Sequence, residues 1–129
     1  MTHKAIYEPK SIPELIEEAH ENAVEHGWWE EERSFGEQIA LMHSELSEAL
    51  EEHRNDHAPD ELYFSGKGYI APQPTECCKK PEGIPIELAD VVIRIFDTCG
   101  KYGIDLDKAI EIKMAYNRTR SYKHGNKKI

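Results

Sequence analysis

No stretch of this chain approaches the roughly 18 consecutive apolar residues of a membrane-spanning helix, so no membrane partner is expected. Met1 to Lys10 lack the apolar run of a secretory signal, and the expected compartment is the cytoplasm. Cysteine is scarce. Cys77, Cys78 and Cys99 form neither an even disulfide framework nor a C-x-x-C metal pattern, and they are read as reduced thiols. Positive charge is in deficit: 16 Lys and Arg against 25 Asp and Glu leave a formal net charge of −9. That surface is a poor match for a phosphate backbone, so no large nucleic acid is expected as partner. Apolar residues make up 39% of the 129 residues. The share is low for a self-sufficient core, which predicts a single domain helped by a partner subunit. Internal repeats and low-complexity segments are also missing.

What is present begins with two helix-start signals. Ser11-Ile12-Pro13-Glu14 combines a Ser-x-x-Glu capping box with a proline in the first turn, where its missing N–H costs nothing. Ile12, Leu15, Ile16, Ala19 and Ala23 then recur on one face until Gly27, predicting a first helix over about Ile12 to His26. Ser34 and Glu37 repeat the box, and Ile39, Met42, Leu46, Ala49 and Leu50 carry a second helix over about Phe35 to Arg54. From Asn55 to Gly83 the periodicity is lost and prolines and glycines punctuate a long loop, with room for a short strand or turn around Leu62 to Ile70. A loop of that length is either a lid or binding loop, or a mobile insertion. A third helix is expected from Pro85 to about Lys101, before the break at Tyr102-Gly103, and a fourth, capped by Asp105, from Leu106 to about Tyr122. A basic tail, Lys123 to Ile129, extends past it. The expected fold class is all-α, with four helices.

The third helix carries an anomaly. Ile86, Leu88, Ala89, Val91, Val92, Ile93, Ile95, Phe96 and Cys99 point in nearly every direction, the pattern of a helix buried on most sides. Glu87, Asp90, Arg94 and Asp97 interrupt it, and at about 100° per residue they fall within an arc of roughly 80°. Burying a carboxylate without compensation costs several kcal/mol, so this stripe is expected to face water, cations or a metal. The second helix offers Glu45, Glu48 and Glu52 at i, i+3 and i+7. A Glu-x-x-Glu alone is an ordinary solvated face, which Glu51 broadens. Glu45-x-x-Glu48 set against Glu87-x-x-Asp90 across an antiparallel seam is different, because only a multivalent cation makes four facing carboxylates tolerable. Ligation by oxygen alone favours Mg²⁺ or Mn²⁺, ions able to hold phosphate oxygens and activate a water. Lys113, Asn117 and Arg120 form a donor row on the fourth helix that suits phosphates, or equally a surface row pairing with the abundant acids.

These segments resemble a known group. Ile39-Ala40-Leu41-Met42-His43-Ser44-Glu45-Leu46-Ser47-Glu48-Ala49-Leu50 is similar to the first metal-binding helix of the MazG-like, all-alpha NTP pyrophosphohydrolases, and Glu87-Leu88-Ala89-Asp90-Val91-Val92-Ile93 to the second. Lys113-Met114-Ala115-Tyr116-Asn117-Arg118-Thr119-Arg120 is similar to their triphosphate-contacting helix. The resemblance covers about Ser34 to Arg120 and implies a Mg²⁺-dependent hydrolase that splits a nucleoside triphosphate into monophosphate and pyrophosphate. It implies Glu45, Glu48, Glu87 and Asp90 as metal ligands, Lys113, Asn117 and Arg120 as phosphate-binding residues, and a bundle completed by a second subunit in a homodimer or homotetramer. Glu45 or Glu48 is the candidate proton acceptor. The chain departs from the group in the long connection between Glu48 and Glu87, which loop-closure entropy tolerates. Rival readings are a phosphoribosyl-ATP or dUTP pyrophosphohydrolase of the same superfamily, and a non-catalytic helical protein that binds nucleotide or a partner through an acidic groove.

Other candidates rank below these. Glu17-x-x-His20 matches half of a di-iron motif with no second copy and is read as a surface pair. Trp28 and Trp29 either pack at a helix junction or stack on a nucleobase. His43 and His53 flank the acidic face as structural residues, and Tyr116 is either core or close to substrate.

Overall fold

The computed structural model describes residues 8–66 and 79–121. Four helices carry the fold: α1 (Ile12–Glu25), α2 (Phe35–Arg54), α3 (Ile84–Tyr102) and α4 (Leu106–Thr119). A 3₁₀ turn, Trp28–Glu30, follows α1, and two short strands, β1 (Tyr63–Ser65) and β2 (Lys80–Glu82), precede α3. Both capping boxes form: the Ser11 and Ser34 hydroxyls accept from the Glu14 and Glu37 amides, and each glutamate reaches back to its cap residue's N–H. Gly27 and Gly103 adopt the left-handed conformation that ends α1 and α3, and Asp105 caps α4 through the Lys108 amide. No described helix is long and apolar enough to cross a membrane. The fourth helix stops at Thr119, with Arg120 already extended (φ −76°, ψ 149°), short of the expected end near Tyr122. Cys77, Cys78 and the basic tail lie outside the described residues.

The chain is mostly helical, as expected, with one small hairpin whose first strand falls where the sequence left room for a short strand. β1 and β2 pair antiparallel, with Tyr63 opposite Glu82, Phe64 opposite Pro81 and Ser65 opposite Lys80. Pro81 is tolerated because a two-stranded ribbon consists only of edges. The Tyr63 hydroxyl donates to Glu52 Oε1 at 2.8 Å, pinning the ribbon to the end of α2. At the base of the hairpin Gly83 has φ 116°, and a Cβ there would stand 2.2 Å from the Glu61 carbonyl oxygen, so only glycine admits this closure.

α3 is the central element, flanked by α1 and α2. Phe35 packs edge-on against Tyr102, whereas Glu45, ten residues further along α2, meets Arg94, eight residues earlier on α3, so α2 and α3 run antiparallel. α1 crosses α3 at Gly100, where a Cβ would lie 2.6 Å from the His20 Cβ. The burial of α3 differs from expectation. Phe96, Asp97, Thr98 and Cys99 are buried, but Leu88, Val92 and Ile93 on its earlier turns are exposed. The reason lies in α4, which leans on α1 and leaves that face of α3 uncovered within the chain. α4 has no buried residue.

Candidate metal centre

Antiparallel packing of α2 on α3 converts two sequence spacings into one cluster. Glu45 on α2 and Glu87 and Asp90 on α3 each place a carboxylate oxygen so that all three lie within 4.8 Å of one another, and all three residues are partly buried. Burial raises the Glu87 carboxyl above its ordinary range, and the negative charges of Asp90, Glu48 and Glu45 raise it further. Asp90 is raised too, first by burial and then by Glu45, against the lowering influence of Arg94 and Lys80. In both, burial and like charge disfavour the ionised form, and at Asp90 they outweigh the nearby cations. Three oxygen donors without nitrogen or sulfur, on two rigid helices, fit a hard divalent ion such as Mg²⁺ or Mn²⁺.

The fourth expected ligand stands apart. Glu48 is exposed and outside the three-oxygen set, although it is near enough to raise both Glu87 and Asp90. With Glu52, Lys80, Glu82 and Glu87 it lines a polar groove of about 420 Å³. The hairpin thus forms one wall of the site, bringing Lys80 to the carboxylates. On the other side, a cavity of about 290 Å³ runs between Trp28, Asn22 and His26 and the pair Glu45 and Asp90. The carboxylate row therefore separates a polar groove from a partly aromatic cavity.

No family model, curated protein or solved structure matches this chain.

The remaining candidates divide clearly. Lys113 and Asn117 stay on α4, and Arg120 is the extended residue just past its end, so the expected donor row is only partly helical; Lys113 and Arg120 lie over the exposed Tyr116 ring at 5.0 and 5.8 Å. Among the described residues, none of the three side chains hydrogen-bonds or ion-pairs with the carboxylates. The cations that reach the cluster are Arg94, whose Nε donates to Glu45 Oε1 at 3.0 Å, and Lys80. Asp97 keeps the face of Asp90 and Arg94 but is buried rather than open to water or a cation. It is 6% exposed and accepts from Trp29 Nε1 at 2.8 Å, with His20 Nδ1 at 2.9 Å from the same oxygen. His20 is accordingly no surface partner of Glu17 but a half-buried tie between α1 and α3. Trp29 packs edge-on against His20 and Tyr102, whereas Trp28 carries two guanidinium groups over its ring, Arg33 at 3.9 Å and Arg94 at 4.7 Å. His43 and His53 are exposed, and Cys99 is a buried free thiol raised by that burial. Arg94 and Lys80 are the site residues to which sequence reasoning gave no role. The position of Arg94 one turn after Asp90 was the available signal; Lys80 had none.

Proposed function

We propose that this chain is a Mg²⁺-dependent nucleoside triphosphate pyrophosphohydrolase, releasing a nucleoside monophosphate and pyrophosphate, and that it works in the cytoplasm as a homodimer or homotetramer. The observation that carries the reading is the convergence of Glu45, Glu87 and Asp90 from two helices within 4.8 Å, in the order and spacing of the MazG-like signature that the sequence resembles. Glu45, Glu87 and Asp90 would hold the ion, with Glu48 at its edge. Bound Mg²⁺ would screen the phosphates and acidify an attacking water. Glu48 is the better placed of the two candidate bases, because Glu45 is already engaged by Arg94 whereas Glu48 stands open to the groove. It would accept the proton of the water that attacks the α-phosphorus, leaving pyrophosphate as an intact leaving group.

A second copy of the chain completes the proposed site. The exposed apolar residues Leu46 and Leu50 on α2 and Leu88 and Val92 on α3 give it a surface to cover. The donor row of Lys113, Asn117 and Arg120, remote from the cluster of its own chain, is available to a neighbour. A panel of canonical and modified nucleotides assayed in ¹⁸O-labelled water tests the reaction. The expected result is Mg²⁺-dependent pyrophosphate release with the label on the monophosphate. Orthophosphate with a nucleoside diphosphate overturns the bond assignment, and no turnover of any nucleotide with Mg²⁺ or Mn²⁺ leaves the non-catalytic groove reading.

A further inference from the structure

Arg94 occupies an unusual position at the seam of the site. Its Nε is held by Glu45, a member of the carboxylate cluster, and its guanidinium lies over Trp28. One turn of α3 separates it from Asp90, whose charge it favours. Yet among the described residues neither of its terminal nitrogens donates a hydrogen bond, and Arg94 lines the cavity of about 290 Å³ that reaches Glu45 and Asp90. A guanidinium offers five N–H donors in a rigid plane. Here one edge is anchored, one face is supported by an indole, and the outer donors remain uncommitted beside the place where a cation fits. That is the arrangement of a pre-oriented anion receptor, since the cost of immobilising the side chain is already met by the fold.

We infer that Arg94 binds a phosphoryl oxygen of the ligand through its terminal nitrogens while Glu45 holds its Nε, making it the phosphate-binding cation that each chain supplies to its own site. The inference rests on the metal-dependent reading of the cluster. It differs from the sequence expectation, in which the phosphate-binding residues all come from α4. A polyphosphate anion approaching Arg94 also approaches Glu45, Glu87 and Asp90, so its binding requires a divalent cation to offset their repulsion. Arg33, the other guanidinium over Trp28, is committed elsewhere: its Nη1 donates to the Trp28 carbonyl and its Nη2 faces Glu31.

The test measures binding rather than turnover. Calorimetry would follow Mn²⁺ alone, and then inorganic tripolyphosphate in the presence of Mn²⁺, on the full chain, Arg94→Met and Arg94→Lys. Methionine keeps the apolar stem on Trp28, and lysine keeps the charge without the fork. The expected result is tripolyphosphate affinity at least about tenfold weaker in Arg94→Met, the scale of a charge-assisted hydrogen bond, with partial recovery in Arg94→Lys and Mn²⁺ affinity retained in both. Equal tripolyphosphate affinity in the wild type and Arg94→Met overturns the inference and leaves the metal reading standing. Mn²⁺ affinity that collapses in Arg94→Met, with both variants folded by circular dichroism, also overturns it, since Arg94 then only positions Glu45. A wild type that takes up no Mn²⁺ removes the metal reading, and the inference falls with it.

Discussion

Glu87 and Asp90 carry carboxyls that hold their protons more tightly than free side chains do, because burial and neighbouring acids both disfavour the ionised form. Folded values raised above the ordinary 4.5 and 3.8 mean that the native state binds protons more readily than the unfolded state. The contribution of this pair to stability is therefore greatest in acid and is lost as pH rises through the raised folded values, unless a divalent cation takes the protons' place. Glu87→Gln removes one charge at nearly constant volume. We expect it to reduce turnover by more than the roughly 10–100-fold that loss of a supporting partner costs, while the metal-free variant stays as stable as the wild type in acid and becomes the more stable of the two at neutral pH. Urea unfolding of both proteins across that pH range, with chelator present, checks the sign. A variant with near-wild-type turnover would remove Glu87 from the site. At this scale the carboxylates were legible in the sequence because a spacing of three on a helix fixes a face. Asp97 was misread for the same reason: it shares that face, but its partners His20 and Trp29 come from distant parts of the chain that no local pattern reports.

Among the elements, the helices were the most legible, since Ser11, Ser34, Asp105, Gly27 and Gly103 all act where their chemistry predicts. The hairpin was legible only in its first strand, which lies inside Leu62 to Ile70; the second, three residues around Pro81, shows no alternation, and the ribbon is held by contacts at Glu52 and Gly83. The α1–α3 crossing was equally invisible. Gly100 sits inside a helix, where glycine normally costs stability, and its value emerges only from the His20 side chain packed against it. Gly100→Ala gains helix propensity but places a methyl 2.6 Å from the His20 Cβ. Neither atom is at the end of a flexible side chain, so the helices must separate, straining the links from His20 and Trp29 to Asp97. We expect a net loss of about 1–3 kcal/mol, read as a lower urea midpoint at unchanged slope. An unchanged or higher midpoint would show that the crossing is not tight.

The whole molecule has little core of its own. Among the described residues the buried apolar side chains are Ala49, Phe96 and Cys99, while Leu50 is 51% exposed and Ile112 58%. A chain with so little sequestered apolar surface is marginal alone, and removing Leu46, Leu50, Leu88 and Val92 from water contributes roughly 25 cal/mol per Å². Sedimentation at micromolar concentration should accordingly show a dimer or tetramer and no folded monomer, with a melting temperature that rises with protein concentration. A stable, active monomer would contradict the proposed two-chain site. The apolar pattern of α3 was legible, but which chain covers it was not, since a hydrophobic period records burial without naming the partner.

The two adjacent indoles differ in one respect with an optical consequence. Trp29 is fixed to Asp97 inside the α1–α3 junction, whereas Trp28 lies under the guanidinium of Arg94, itself bound to the cluster. Since the chain contains 2 tryptophans, its indole emission is expected to combine one ring placed to sense unfolding and one placed to sense events at the carboxylates. With Trp29 replaced by phenylalanine, any occupancy of the carboxylate cluster should be readable as the colour and intensity of a single indole, without label or coupled assay.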